Sequence, residues 1–478
     1  MHCIAKEYPR SKKAKSENSS SSKAIGCEQT TAQAELSINN VRTVMQVGGD
    51  MWWDLSNPQY EIPKGSGKHS VFAGALWIGA IDDGGQLKVA AQSYRQTGID
   101  FWAGPINTTT VEVEPTQCVF YDRQWTVRKQ EVIEFRRRLR DTSYVVPEAI
   151  QSWPGNGDPT FNEAQFMAPF VDINGDGLYS WKDGDHPKYN LGFERNGNCN
   201  EYLYGDETIW WVFNDVGNVH TETSSPGALG LEIRAQAFAS RAADEINDMT
   251  FYKYEVINRS NQVLSDRYFG QWIDNDLGNA TDDYVGCDVV RGLGFCYNGD
   301  EDDETISGYG INPPAAGIDF FQGPIADLND GIDNDRDGDI DEIGEQIIMS
   351  KFIYYHGVNS APVGNPNGYR DHYLYLQGLW LDGLPITYGG DGRDPNAPVC
   401  SFMFPWDTDT FANTWSELTA GNVPADRRFL MSVGSFTMPP GAVQYISTGV
   451  VWARAKSGGN LASVRVLKKA DDKAQALF

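Results

Sequence analysis

The sequence reads IWWVF at 209–213, LEIRAQA at 231–237 and FYKYEVI at 251–257, and these three stretches indicate the fold class. The first and third are rich in aromatic and β-branched residues, which are enriched in strands. The second alternates apolar residues with polar or charged ones, as a strand with one buried face does. Because polar turns separate the three stretches, they predict an antiparallel sheet.

Strand patterns continue on both sides of this sheet. Towards the N-terminus, the turn sequence DDGG at 82–85 separates predicted strands at 70–81 and 86–94. Towards the C-terminus, strands are predicted at 347–355, 373–380, 429–436 and 444–453. No regular alternation of strands and long helices is present, which argues against a doubly wound α/β fold. The sequence therefore predicts a mainly β protein: an antiparallel β-sandwich with few helices and long Gly/Asp-rich loops that we expect to bind calcium.

Composition and helical spacing divide the chain into four predicted segments. Residues 1–34 are dominated by Lys, Ser and Glu and lack the apolar stretch of a working secretory signal. Helical spacing of apolar residues recurs at 127–140 and again near the C-terminus. The predicted segments are a disordered leader (1–34), a β-rich domain with one helix and a calcium loop (35–200), a β-sandwich domain with an acidic calcium-loop insertion at 274–345 (201–460), and a truncated C-terminal helix (461–478).

The charge balance limits the classes of partner. The 478 residues include 39 Lys and Arg against 65 Asp and Glu, a formal net charge of −26. Nucleic acids and anionic membranes bind basic surfaces, so neither is expected as a partner, whereas cations are. No run of apolar residues is long enough for a transmembrane helix. The seven cysteines form no CxxC motif. Either all of them are free thiols or some of them form one or two disulfides, and Cys287 and Cys296 are the pair nearest in sequence.

The clearest motif is DINGDGLYSWKD at 172–183. It matches the calcium-loop pattern D-x-[DN]-x-[DN]-G-x5-E, with Asp in place of the final Glu. Calcium takes about six to eight oxygen ligands, and the side chains at loop positions 1, 3 and 5 converge on one point. A solvated turn rich in Asp and Asn is the alternative interpretation. The predicted ligands are Asp172, Asn174, Asp176, the backbone carbonyl of Leu178, Ser180 and Asp183.

A second motif is DLNDGIDNDRDGDIDE at 327–342, in which eight of sixteen residues are carboxylates. Carboxylates packed this closely repel one another unless a cation lies between them. Loop position 12 is Gly344, so Glu342 or Glu345 must complete the coordination shell. An acidic linker is the alternative interpretation. The predicted ligands are Asp333, Asp335, Asp337, Asp339, Asp341 and Glu342.

A third candidate calcium site, DNDLG at 274–278, directly follows a predicted strand. Its predicted ligands are Asp274, Asp276, Asp282 and Asp283. No catalytic residue and no organic cofactor is predicted, because HExxH and GxSxG motifs are absent from the sequence. A glycosidase-type carboxylate pair remains an alternative. Tryptophans that could stack on sugars, if they were exposed, are Trp52, Trp53, Trp102, Trp210, Trp211, Trp272 and Trp406.

Several long stretches point together to one group of proteins. They include GGDMWWDLSNPQYEIPKGSGKHSVFAGALWIG (48–79), FGQWIDNDLGNATDDYVGCDVVRGLGFCYNGD (269–300) and DRRFLMSVGSFTMPPGAVQYISTGVVWARA (426–455). In these stretches the chain resembles the N-terminal part of large secreted Bacteroidota proteins that end in a type IX secretion sorting domain. The resemblance implies export to the extracellular space or cell surface, and it carries no catalytic residues over to this sequence.

These observations lead to three functional hypotheses. The first is a non-enzymatic, calcium-stabilised extracellular or cell-surface protein with a role in adhesion or assembly. Its expected partners are calcium ions and a surface glycan or protein. The second is a secreted hydrolase that acts on polysaccharide, and the third is a structural subunit of a surface filament or layer.

Overall fold

The computed structural model describes residues 26–190, 201–357, 362–406 and 414–478. Most of the predicted leader, together with Cys3 and Cys199, lies outside these ranges. Residues 26–34 belong to the fold, because Cys27 forms a disulfide with Cys118 and the first strand begins at Gln33. The leader prediction is therefore wrong for this last part. Cys287 and Cys296 do not pair with each other: the Cys287 thiol donates to the carbonyl of Met403, and Cys296 is a buried thiol.

Short strands dominate the described part of the first half of the chain. Its strands are β1 (Gln33–Leu36), β2 (Thr43–Gln46), β3 (Asp50–Met51), β4 (Ala73–Asp82), β5 (Leu87–Ala91), β6 (Trp102–Ala103), β7 (Trp125–Arg128), β8 (Phe170–Val171), β9 (His186–Pro187), β10 (Glu207–Asn214) and β11 (Leu231–Ala239). Its helices are α1 (Pro115–Tyr121), α2 (Lys129–Arg138) and α3 (Glu148–Gln151), and a 3-10 turn covers Pro159–Phe161.

Longer strands dominate the second half. They are β12 (Thr250–Asn258), β13 (Leu264–Asp274), β14 (Asp283–Asp288), β15 (Leu293–Asn298), β16 (Asp302–Asp303), β17 (Gly310–Ile311), β18 (Ala315–Gln322), β19 (Lys351–His356), β20 (Arg427–Met438) and β21 (Val443–Ala453). The helices are α4 (Tyr369–Leu376), α5 (Glu417–Ala420) and α6 (Gly459–Gln475), and a 3-10 turn covers Glu245–Asp248. No helix of the described ranges is long and apolar enough to cross a membrane.

Two large antiparallel sheets form the molecule. One has the order β1-β2-β3-β4-β13-β20-β19, with β5 also paired to β4. The other has the order β14-β15-β18-β21-β12-β11-β10-β6, with β7 also paired to β10. The predicted sheet at 209–257 is confirmed as β10, β11 and β12 in this second sheet. The mainly β fold class and the sandwich architecture are therefore as the sequence predicted.

Aromatic side chains join the two sheets face to face. The ring of Phe269 on β13 lies 5.7 Å from that of Tyr254 on β12 and 6.3 Å from that of Phe320 on β18. Trp52 Nε1, just after β3, donates a 2.8 Å hydrogen bond to the hydroxyl of Tyr252 on β12. Because the polar atom of this buried ring is hydrogen-bonded, the ring adds buried apolar area and leaves no donor unsatisfied. The main core thus lies between the sheets.

The sheets do not follow the predicted segment boundaries. β4 pairs with β13, and β7 pairs with β10, so strands from both sides of residue 200 share each sheet. Within 274–345, the strands β14, β15 and β18 belong to the second sheet, with β14 at its edge, and are not parts of an acidic insertion. Only the remainder of that segment consists of loops and of the small β16–β17 pair.

The structure confirms one prediction from residue spacing, the C-terminal helix, and contradicts another, the strand at 373–380. The C-terminal helix is confirmed as α6, whose Leu467, Ala470 and Ala474 are buried against the second sheet. The strand predicted at 373–380 is wrong, because α4 covers Tyr369–Leu376. Its aromatic residues favour strands, yet Tyr373 packs closely over Gly79 of β4 as part of a helix. Tertiary packing here overrides local β propensity.

Candidate calcium loops and an acidic cleft

Loop 172–178, between β8 and β9, is held by hydrogen bonds from its own backbone. Asp172 accepts N–H groups of Gly175 and Gly177, each at 2.7 Å. Asn174 accepts the N–H of Asp176 at 3.1 Å, and Asp176 accepts that of Leu178 at 2.8 Å. The oxygen-bearing side chains at loop positions 1, 3 and 5 are therefore ordered by short-range contacts. Gly175 and Gly177 both have positive φ, near 76° and 77°, which glycine adopts without strain.

The carboxylate that reaches back to this loop is Asp185, which the sequence prediction missed. Asp185 is fully buried and accepts N–H groups of Ile173 and Ser180, each at 2.8 Å. The predicted ligand Asp183 is exposed and accepts no hydrogen bond within the described part of the chain. The consensus spacing selected Asp183. Because of the turn after Ser180, the side chain that contacts the loop is the one two residues later, Asp185.

Loop 333–339, between β18 and β19, repeats this arrangement. Asp333 accepts the N–H of Gly338 at 3.2 Å, as Asp172 accepts that of Gly177. Asp335 accepts the N–H of Asp337 at 3.2 Å, and Asp337 accepts that of Asp339 at 2.9 Å. In both loops, therefore, the backbone N–H of position 6 donates to the side chain of position 1, that of position 5 to position 3, and that of position 7 to position 5.

A buried carboxylate again closes the second loop. Glu345 is 2% exposed and accepts the N–H of Asn334, which corresponds to Ile173 in the first loop. Oxygens of Asp333, Asp335 and Glu345 lie within 4.8 Å of one another, as do those of Asp335, Asp337 and Glu342.

The remaining predicted ligands of this loop lie outside both groups. Asp341 accepts the N–H of Gly331 at 3.0 Å, and the side chain of Asp339 is exposed. The alternation of acidic residues along 333–341 suggested that all of them converge, but the loop brings only part of the set together.

The third candidate site is an acidic cleft where β13 ends and β20 begins. Asp274 is the last residue of β13 and lies in register with Arg428 of β20. Asp276 follows in the turn, and Asp426 immediately precedes β20. Oxygens of Asp274, Asp276 and Asp426 lie within 4.8 Å of one another. Asp426 was absent from the sequence prediction, because only the pairing of β13 with β20 brings it beside residues 274–276.

The other two predicted ligands of this site face elsewhere. Asp283 is fully buried and accepts the N–H of Leu277 at 3.0 Å, and it lies against the thiol of Cys296. Asp282 accepts an amide hydrogen bond from Asn279 at 2.9 Å. Both residues therefore shape the turn after β13 instead of lining the cleft. Neither belongs to the carboxylate cluster of Asp274, Asp276 and Asp426.

One guanidinium group partly neutralises the cleft. Arg428 Nε lies 3.2 Å from Asp274 Oδ1 and 3.1 Å from the Tyr94 hydroxyl, and Nη1 lies 3.1 Å from Asp426. The Tyr94 hydroxyl also donates to Asp274. Burial raises the pKa of Asp274, although the Arg428 charge opposes this shift. Burial and the neighbouring carboxylates of Asp274 and Asp426 raise the pKa of Asp276.

The cleft has a volume of about 340 Å³, and its walls combine carboxylates with aromatic rings. Phe72 and Tyr94 are half-buried, with their rings 6.1 Å apart. The tryptophans that the sequence offered for sugar stacking are all buried, and Trp53, which borders the cleft, is only 1% exposed. Those tryptophans are packed in the core, so the accessible aromatic surface of the cleft comes from Phe72 and Tyr94.

Comparison with known proteins adds no assignment to this geometry. No family model matches the chain, and no curated protein matches its sequence.

Proposed function

We propose that this protein is a non-enzymatic, calcium-stabilised extracellular or cell-surface protein with a role in adhesion or assembly. One observation carries the proposal: loops 172–185 and 333–345 share the same hydrogen-bond pattern, and a buried carboxylate closes each of them. Two loops far apart in sequence that share this pattern of backbone hydrogen bonds to their carboxylates are expected to serve the same ligand. Hard oxygen donors at this spacing suit calcium.

Electrostatics supports a bound cation in the second loop. Asp333, Asp335, Asp337, Glu342 and Glu345 crowd their oxygens together, whereas Arg336 turns away to donate to the carbonyls of Val289 and Met349. Like charges at such separations destabilise the folded chain unless a cation lies between them.

The position of each loop indicates what calcium would stabilise. The first loop connects the paired strands β8 and β9, where Val171 lies opposite His186. The second loop connects β18 of one large sheet to β19 of the other. An ion in the second loop would therefore fix a connection between the two sheets, and an ion in the first would fix the β8–β9 hairpin.

The extracellular location is the part of the proposal that rests on resemblance to secreted Bacteroidota proteins. Millimolar calcium outside cells would saturate even weak loops, whose dissociation constants in extracellular modules are about 10⁻⁴–10⁻³ M. The high net negative charge of −26 is compatible with a protein that binds several cations.

Thermal unfolding of the full chain in millimolar calcium and in excess chelator tests the proposal, with bound metal counted in parallel. We expect a higher Tm in calcium and at least two ions per chain. Asp172→Asn and Asp333→Asn should each remove one ion and part of the Tm rise. The matched control is Asp83→Asn, an exposed carboxylate in the β4–β5 turn. Equal Tm values with no bound ion would refute the proposal.

A second function, a secreted hydrolase acting on polysaccharide, is favoured by the paired carboxylates Asp274 and Asp276 in the cleft. Their oxygens lie within 4.8 Å of each other, which is nearer to the carboxyl separation of about 5–5.5 Å in retaining glycosidases than to that of about 6.5–9.5 Å in inverting ones. Release of reducing ends from polysaccharides, abolished by Asp276→Asn with the fold intact, would support a hydrolase. No release by the wild-type protein would leave binding as the role of the cleft.

A further inference from the structure

The acidic cleft contains a buried carboxylate oxygen that accepts no hydrogen bond from the described residues. Asp274 is 3% exposed, and its Oδ1 accepts no hydrogen bond from the described residues, although Arg428 Nε lies 3.2 Å away. The carboxylate of Asp276 accepts no hydrogen bond and forms no ion pair within the described ranges. A buried polar oxygen without a donor costs about 1–3 kcal/mol, so its persistence points to a ligand.

The charge of the cleft matches a divalent cation. The three carboxylates of Asp274, Asp276 and Asp426 oppose the single positive charge of Arg428, which leaves a net charge of −2 when all are ionised. The two positive charges of one calcium ion would neutralise this charge. The oxygens within 4.8 Å of one another are close enough for one ion to contact all three carboxylates.

Such an ion would remain open on one side. Asp274 commits Oδ2 to the Tyr94 hydroxyl, so it offers only Oδ1 to a cation. The three carboxylates thus cannot fill a shell of about six to eight oxygens, and the remaining positions face the 340 Å³ cleft. In the two loops, by contrast, backbone N–H groups and a buried carboxylate hold the oxygen-bearing side chains in place.

The walls of the cleft indicate the chemistry of the missing ligand. Half-buried Phe72 and Tyr94 offer apolar ring surface, and the exposed Ser56 and Gln96 offer polar groups at the rim. Sugars combine an apolar face with vicinal hydroxyls, and they match this lining. Arg428 is already engaged by Asp274, Asp426 and Tyr94, so no cationic side chain of the lining is available to an anionic ligand.

We propose that the acidic cleft binds a divalent cation through Asp274, Asp276 and Asp426, and that this ion binds the vicinal hydroxyls of a neutral polysaccharide. This inference rests on the proposed function, for which it names the class of partner. The polysaccharide would replace water on the ion and pack against Phe72 and Tyr94. No bond of the ligand is made or broken.

Affinity electrophoresis of the full chain through gels containing soluble mannan, galactan or glucan tests this inference, with calcium or with chelator. We expect at least one polysaccharide to retard the wild-type protein in calcium, with at least tenfold weaker binding in chelator. Asp276→Asn should weaken binding to a similar degree and remove one bound ion. This variant removes no hydrogen bond, so we expect it to fold, and its Tm checks this. Asp83→Asn is the matched charge control.

The outcomes separate this inference from the proposed function. No retardation by any of the three polysaccharides, with the calcium-dependent Tm rise intact, would overturn the cleft assignment alone. Retardation that persists in chelator, or that Asp276→Asn leaves unchanged, would also overturn it. If the wild-type protein shows no calcium-dependent rise in Tm and binds no calcium, the proposed function itself is refuted, and the cleft assignment with it.

Discussion

The buried carboxylate of Asp185 accepts a 2.8 Å hydrogen bond from the backbone N–H of Ile173, and it thereby closes the loop that begins at Asp172. Glu345 makes the equivalent contact with Asn334 in the second loop. In both loops the closing residue lies beyond the consensus position, and it is buried, whereas the consensus residue Asp183 is exposed. The closing carboxylate is therefore part of the core as well as of the candidate calcium site.

Replacement of Asp185 should damage the first loop more than replacement of Asp183. Asp185→Asn weakens two hydrogen bonds to backbone N–H groups, and we expect a loss of about 1–3 kcal/mol in unfolding free energy. We also expect one fewer bound calcium ion. Urea denaturation and metal analysis of both variants check this. Asp183→Asn is the matched control, and an equal loss in the control would show that the consensus residue closes the loop.

Two buried carboxyl groups predict an unusual pH dependence. Asp319 on β18 and Asp471 on α6 are 0% and 1% exposed and lie against each other. Burial raises the pKa of both carboxyl groups. The neighbouring Asp319 raises the pKa of Asp471 further, and the charge of Asp288 raises that of Asp319, although the hydrogen bond from Asp471 opposes this shift. Lys468 and Arg291, which also face this cluster, are paired with Asp288 at 3.0 and 2.9 Å.

The sign of this pH effect follows from proton linkage. A carboxyl whose pKa is higher in the folded state binds its proton more tightly there, so stability falls as pH rises above the ordinary value. We expect Asp319→Asn to raise the unfolding free energy by about 1–3 kcal/mol at pH 8, with a smaller gain at pH 5. Urea denaturation at both values checks this. Asp472→Asn, a partly exposed neighbour, should lack the effect, and a gain independent of pH would contradict the assignment.

The disulfide between Cys27 and Cys118 should contribute substantially to stability. It joins residues separated by 91 positions. A crosslink across so long a loop lowers the entropy of the unfolded chain and can stabilise the fold by up to about 4.6 kcal/mol. Cys118→Ser should therefore lower the unfolding free energy by about 2–4 kcal/mol under oxidising conditions. Thermal unfolding with and without reductant measures the effect. Cys400→Ser, at a partly buried thiol, is the control, and its Tm should change little.

The contact between Trp52 and Gly74 should tolerate no added side chain. A Cβ on Gly74 would lie 2.1 Å from the Trp52 ring, which is buried between the sheets. We expect Gly74→Ala to destabilise the protein by about 1–3 kcal/mol, because neither β4 nor the buried ring can move freely. Gly227→Ala, where the nearest atom is 3.6 Å away on the flexible Lys88 side chain, should be nearly neutral. Equal Tm values for the two variants would contradict this account.

The sequence by itself determined the local features of this protein. Alternation at 231–237 predicted β11, and the spacing of Asp172, Asn174 and Asp176 predicted a turn whose contacts span only a few residues. These features depend on interactions between residues close in sequence, so the pattern of residue types is enough to predict them. The same holds for the apolar stripe that predicted α6.

Only the tertiary structure decided which distant residues meet. Asp426 joins Asp274 because β20 pairs with β13, and Asp185 and Glu345 close their loops because they are buried in the core. The same packing turned the aromatic stretch at 373–376 into part of a helix over Gly79. Such contacts depend on which apolar faces are buried together across the whole chain, and that free energy is shared among residues far apart in sequence.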